Sequence, residues 1–238
     1  MDINIINNEE RFLAGELEGY ILKGADNKFD DRGKALLWPG CTIICQIPLH
    51  SDLSNEITNF QKKLKYFNPK ETYSYLPPSS FHMTLFDCCN LNTKNTKYWP
   101  TDIDPDMDYK DIAIELNKRI QNYIFPEELN LKLKMFFGGY SIVLEPFSEK
   151  DEKILRNCRD ELSSLLKIKF ENHQRYTFHI TLAYILRELK EDEIKKILEF
   201  NKDLYQEFDK KFPKIVLNKP EMSTFENMLE FKSINQIF

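Results

Sequence analysis

Two distant stretches of the chain repeat one alternation of polar and apolar positions, Ser80-Phe81-His82-Met83-Thr84-Leu85 and Thr177-Phe178-His179-Ile180-Thr181-Leu182. Successive side chains of a β-strand point to opposite faces, so this period of two predicts half-buried strands near residues 80–88 and 176–186. Ser80, His82 and Thr84 share the polar face of the first, and Thr177, His179 and Thr181 that of the second. Phe81, Met83 and Leu85, with Phe178, Ile180 and Leu182, form the apolar faces. Each strand thus displays hydroxyls beside an imidazole.

The remaining pattern alternates helical and extended segments. A short helix is expected near residues 8–20, then a polar turn through Gly24, Asp26, Asp30 and Gly33. After Pro39-Gly40, the run Cys41 to Ile47 reads as a buried strand ended by Pro48. Ser51 or Ser54 can cap a helix running to about Phe67, and Pro77-Pro78 hold the approach to the first motif strand extended. Asn90 to Met107, rich in Asn, Thr, Asp and Pro, reads as an exposed connection. A helix over 109–124 follows, with Ile112, Ile114, Leu116 and Ile120 inward. Leu131 to Phe137 alternates as a strand that Gly138-Gly139 turns into Ser141 to Leu144. Helices over 149–166 and 190–212 flank the second motif, and short strands near 214–217 and 222–229 complete the chain. Each motif is preceded by a strand and a helix. That repetition predicts an α+β protein of two similar lobes whose sheets meet at a cleft, with residues 1–238 as one bilobal domain and 1–30 as its N-terminal extension.

Composition narrows the class without naming the chemistry. With 238 residues, 42% hydrophobic and 13% aromatic, the chain can bury a sizeable core. Its 33 basic and 38 acidic residues give a formal charge of −5, which argues against a long nucleic-acid track, since such binding neutralises many phosphates. A nucleotide or a short oligonucleotide remains open. The five cysteines are odd in number and lack paired CxxC spacing, which suits thiols in a reducing compartment. Neither a signal-like N-terminus nor a window of membrane-span length is present, so a soluble cytoplasmic protein is expected; oligomeric state leaves no signal.

The doubled His-hydrophobic-Thr-hydrophobic pattern, His82-Met83-Thr84-Leu85 and His179-Ile180-Thr181-Leu182, resembles the 2H phosphoesterase superfamily. The segment Phe29 to Pro48 is similar to the opening of a poorly characterised branch of that superfamily, a domain of unknown function, and the similarity spans roughly residues 25 to 235. The resemblance implies the same bilobal fold, two antiparallel-sheet lobes with flanking helices around a central cleft. It also implies a metal-independent phosphodiesterase acting on a 2′,3′-cyclic phosphate, a 2′-5′ linkage or an RNA end. Two imidazoles suit that reaction, because one can take a proton from the attacking oxygen while the other gives one to the departing oxygen. Thr84 and Thr181 then donate hydrogen bonds to the nonbridging oxygens, and no metal or other cofactor is called for.

A blander reading stands beside each role. A lone strand histidine is ordinarily structural, but the duplicated setting of His82 and His179 favours catalysis. Thr84 and Thr181 are also good strand formers. Ser80 and Thr177 either support the site or only cap the sheet edge. Tyr176, Tyr184 and Phe81 can stack on a base, although Phe81 points away, and the odd offset of Tyr184 from His179 puts it off the catalytic face of an unbroken strand. Arg175 and Lys34 can lend positive charge, or lie solvated. His50 and His173 read as structural, and 190–211 as a solvated helix face. The competing function is a noncatalytic nucleotide or RNA-end binding module with the same cleft.

Overall fold

The computed structural model describes residues 2–20, 27–67 and 72–236. Two short helices, α1 (Ile3–Asn7) and α2 (Glu9–Leu13), open the chain. Then come β1 (Gly40–Gln46), α3 (Asp52–Phe67), β2 (Tyr73–Tyr75), β3 (His82–Asn90) and α4 (Tyr109–Arg119). The second half runs β4 (Glu128–Phe137), β5 (Ser141–Pro146), α5 (Glu149–Leu166), β6 (Phe178–Thr181), β7 (Ala183–Ile185) and α6 (Glu191–Lys211). It closes with β8 (Ile215–Asn218), β9 (Glu221–Phe225) and β10 (Lys232–Ser233).

Local chemistry explains most of these boundaries. Ser51 Oγ accepts from the Ser54 backbone N–H at 3.1 Å, Asp108 accepts from Lys110 N at 2.8 Å, and Ser148 accepts from Asp151 N at 3.2 Å. Each capped helix therefore begins where a short polar side chain satisfies an otherwise unpaired N–H. Between β4 and β5, Gly138 and Gly139 both adopt positive φ, 56° and 71°, in the tight turn that matches the twist of a hairpin.

Eight strands form one antiparallel sheet in the order β10-β9-β1-β3-β6-β5-β4-β8, and β2 pairs with β7 separately. The expected lobes are its two halves. In one, β1 and β3 flank α3 in sequence; in the other, β5 and β6 flank α5, and β9 and β4 add outside them. The halves join at β3 and β6, where Met83 pairs with Ile180. Strand β8 lies at one edge and β9 near the other, yet only Lys219 and Pro220 connect them, so the sheet is curled. Phe81, Met83, Leu85, Phe178, Ile180 and Leu182 are all buried in one core with Ile57, Leu116, Leu155 and Phe208 of the helices. Phe60 of α3 stacks on Phe136 of β4 with ring centroids 4.4 Å apart, and Lys63 and Lys211 form ion pairs with Glu207 and Glu56 that tie α3 to α6.

Several sequence expectations are corrected. The N-terminal helix is two short ones, ending at Leu13 rather than Tyr20; Ile6, Phe12, Leu13 and Leu17 pack on Phe137, Tyr140 and Ile197 in a second apolar cluster. Of the predicted polar turn, Gly24 and Asp26 lie outside the described residues. The connection after β3 is anchored, because Trp99 and Ile103 are buried and the indole N–H of Trp99 donates to the Ile103 carbonyl at 2.9 Å. Helix α4 stops at Arg119. The second motif strand breaks at Leu182, whose N–H goes to Tyr140 O at 2.8 Å and whose carbonyl accepts from Leu76 N and Gln61 Nε2. Those bonds draw the chain from the large sheet into the pairing with β2.

Candidate active site

The junction of the halves sets the site. Continuing the antiparallel register from the Met83–Ile180 pair places His82 across from Thr181 and Thr84 across from His179. Met83 and Ile180 face the core, so these four side chains share the opposite face. They occupy the corners of a rectangle with the imidazoles on its diagonal, a spacing of about 7–8 Å between backbone positions. All four line one cleft of about 250 Å³.

Both rings are held alike. His82 Nδ1 lies 2.7 Å from the carbonyl of Ser80, and His179 Nδ1 lies 3.1 Å from the carbonyl of Thr177. A carbonyl only accepts, so each Nδ1 carries a hydrogen, and in the neutral ring the lone pair belongs to Nε2. Burial lowers the pKa of His82 to about 4, against smaller raising effects of the Ser80 bond and the Asp87 charge. Burial also holds His179 well below the ordinary imidazole range, with the His82 ring and the Lys28 ammonium adding to the depression. Both rings are therefore neutral near pH 7.

The walls are mostly aromatic; Tyr176 and Tyr184 were candidates from the sequence, whereas Trp38, Phe225, Met228 and Phe231 were not. Trp38, Tyr176, Tyr184, Phe225, Met228 and Phe231 surround the polar floor. The Phe231 ring sits 4.1 Å from that of His82, centroid to centroid. Lys28 Nζ lies 5.6 Å from the ring centroids of both Trp38 and Tyr184, a cation held between two π faces. Gly40 permits one wall: a Cβ there would stand 2.6 Å from the Phe225 ring and 2.8 Å from the Cys89 carbonyl.

His82, His179, Thr84, Thr181 and Tyr176 all reach the cleft, whereas the other expected residues divide. Ser80 is corrected in position but keeps a supporting place: it belongs to a 3₁₀ turn, Pro78–Ser80, is fully buried, and its hydroxyl donates to Pro77 O at 2.9 Å. Its contribution to the site is its backbone carbonyl, and the same holds for Thr177, which precedes β6. Arg175 is corrected too, since it is exposed on a neighbouring groove with Lys132, Lys134 and Arg156 rather than in the histidine cleft. Tyr184 does line the cleft, because the break at Leu182 resets the alternation. Phe81 is in the core, Lys34 and His50 are exposed, and His173 is buried against Asp160 at 2.8 Å. Of the connection 90–107 only Asn90 lines the cleft, and no residue of 171–175 does.

Two charged cleft residues escaped the sequence reading. Asp87 stands at an odd offset from His82, but a bulge after Thr84 brings it to the polar face: Thr84 pairs with Ile44 and Phe86 with Ile43, so Leu85 is the extra residue. Lys28 comes from the segment ahead of β1. It immediately precedes the family-like segment Phe29 to Pro48, which did not include it. Among the described residues no group of three His, Cys, Asp or Glu side chains is arranged to hold a metal ion, and no helix is long and apolar enough to cross a membrane.

A structure of a conserved protein of unknown function from Agrobacterium tumefaciens, ATU0111, superposes with a TM-score of 0.86 at 20% identity, covering 94% of this chain and 96% of that one. That likeness is one of fold. E. coli LigT complexed with phosphate is a looser match, with a TM-score of 0.39 and 12% identity over 79% of this chain and 88% of that one. No curated protein sequence matches the chain. Residues 28–138 match the 2H-phosphodiesterase family model described as a domain of unknown function (DUF1868), a range that includes the His82 motif and ends before the His179 motif. Over that range, 111 of the 238 residues, the chain is similar to the domain-of-unknown-function branch of the 2H phosphodiesterases.

Proposed function

We propose that the protein is a metal-independent phosphodiesterase that hydrolyses or transesterifies a ribose phosphodiester, with a nucleotide or short oligonucleotide as substrate. The superfamily link already suggests phosphodiesterase activity. The observation that carries the finer reading is the diagonal pair of imidazoles, each with Nδ1 tied to a backbone carbonyl two residues before it. One ring takes the proton of the attacking water or hydroxyl, and the other, protonated, gives its proton to the departing oxygen. Thr84 and Thr181 donate to the nonbridging oxygens, and Lys28 offsets the charge that builds there. The test is a panel of 2′,3′-cyclic nucleotides, 2′-5′ and 3′-5′ dinucleotides and ADP-ribose cyclic phosphate, assayed in EDTA. Turnover of at least one class by the wild type is expected, and binding without turnover of any would overturn the reading.

The acid must be protonated, yet burial lowers the pKa of His82 to about 4 and also depresses that of His179. The population carrying one proton therefore grows as pH falls, about tenfold per unit while both values lie below the working pH. We expect kcat/KM to rise from about pH 8 down to about pH 5, with kcat changing less, because a bound phosphodiester anion favours the imidazolium. A profile that falls on acidification over that range would contradict this assignment. The same depression favours a second reading, a noncatalytic binding module, in which both rings stay neutral and only recognise the phosphate.

Replacing Lys28 with methionine keeps the apolar stem between Trp38 and Tyr184 and removes the charge. A loss of about 10- to 100-fold in kcat/KM is expected. Because the ammonium helps depress His179, the pH profile of the variant should also move toward higher pH. An unchanged profile with an unchanged rate would remove Lys28 from the site.

A further inference from the structure

An anion pocket has no use for a carboxylate, yet Asp87 lines this one. The bulge in β3 puts it there, across β1 from Thr42, with Asn90 following at the level of Gly40. Tyr176 lines the same cleft, and burial first and the Asp87 charge second push its phenol toward the protonated form. An ionised carboxylate accepts hydrogen bonds and repels phosphate, so the part of a substrate facing Asp87 must be a donor. Position decides which part. The His82–Thr181 and Thr84–His179 pairs form two rows of the floor and Asp87 belongs to the next, about 10 Å along the strand from the centre of the imidazole pair. Ribose hydroxyls next to the reacting phosphorus fall short of that row, whereas the far edge of a base reaches it. The aromatic walls, Trp38, Tyr184 and Phe225 among them, offer the faces on which a base stacks.

We infer that Asp87 reads the amino edge of a nucleobase and selects adenine or cytosine over hypoxanthine or uracil in a substrate whose phosphate sits between His82 and His179. The inference rests on the phosphodiester reading above and adds a base preference to it. A carboxylate accepts from the cytosine or adenine amine, and a carbonyl at the same place leaves it facing another acceptor.

The experiment compares 2′,3′-cyclic phosphates of two nearly isosteric pairs, adenosine with inosine and cytidine with uridine, for the wild type and Asp87→Asn. The wild type should favour the amino member by about tenfold or more in kcat/KM. In Asp87→Asn, whose amide can donate as well as accept, each ratio should collapse toward one or invert. Ratios within about twofold in the wild type, or ratios untouched by the substitution, overturn the inference and leave the phosphodiesterase reading standing. If none of the four is turned over, calorimetric binding of the corresponding 3′-monophosphates takes the place of rate. An Asp87-dependent amino preference there supports the base reading while the enzymatic one fails, and equal or absent binding overturns the base reading. Should Asp87→Asn not fold, Asp87→Ser reports the same ratios.

Discussion

Alanine at His82 or at His179 should lower kcat/KM on a cleaved substrate by about 10²- to 10⁴-fold, the range for loss of one positioned proton-transfer group. The double variant should lose much less than the product of the two, because acid and base act as a unit and the remaining pocket still binds and polarises the phosphate. His82→Asn and His179→Asn sharpen the test. An asparagine amide can reproduce the Nδ1–H bond to the Ser80 or Thr177 carbonyl, but it puts nothing where Nε2 was. These variants should keep the wild-type melting behaviour and be as impaired as the alanine ones. Either alanine variant retaining more than about a tenth of wild-type kcat/KM would show that its ring is not a proton-transfer group, and equal loss of folding in all four would reassign both histidines to structure.

The part of the site legible in the sequence is the part governed by the two-residue period. His82 and Thr84, like His179 and Thr181, share a face because nothing interrupts β3 or β6 between them. The two halves were legible too, since the strand–helix–strand repeat recurs as β1-α3-β3 and β5-α5-β6 around their shared junction. The period misleads where the ladder is broken. Leu85 enters as a bulge and delivers Asp87, the Leu182 break delivers Tyr184, and Ser80 leaves the strand for a 3₁₀ turn. The first two interruptions are fixed by hydrogen bonds from residues far away in sequence, Arg159 to the carbonyl of Leu85 and Gln61 to those of Leu76 and Leu182, which no local pattern encodes, whereas the Ser80 turn closes locally on Pro77. The other aromatic walls escaped for a related reason. Trp38, Phe225 and Phe231 reach the cleft because β9 and β10 add to the outside of β1, a pairing between the chain's two ends.

The bulge has a dedicated support, and removing it should give the largest loss of stability of any single substitution considered. Arg159 of α5 is 2% exposed, and its Nη1 donates to the carbonyl of Leu85, the bulged residue, at 2.6 Å. Its guanidinium carbon lies 3.9 Å from the centroid of Tyr176 and 5.4 Å from that of Phe86. Burial lowers its pKa, and its Nε finds no hydrogen-bond partner among the described residues, so the position carries a desolvation cost that an apolar side chain would avoid. The compensation is structural: one cation satisfies the bulge carbonyl and braces the ring of Tyr176, which lines the cleft with Thr84 and Asp87. Arg159→Ala leaves that carbonyl buried without a donor, a cost of about 1–3 kcal/mol, and opens a cavity beside two rings. Urea unfolding should register a total of about 3–5 kcal/mol. Arg159→Met refills the space, sheds the buried charge and leaves only the unsatisfied carbonyl, so its loss should be about 1–3 kcal/mol. If the support reaches the site, Arg159→Met should also narrow the base preference set by Asp87 while it remains folded. An alanine variant within about 1 kcal/mol of wild type would mean that the bulge holds without the arginine, and that the repositioning of Asp87 is a property of the strand alone.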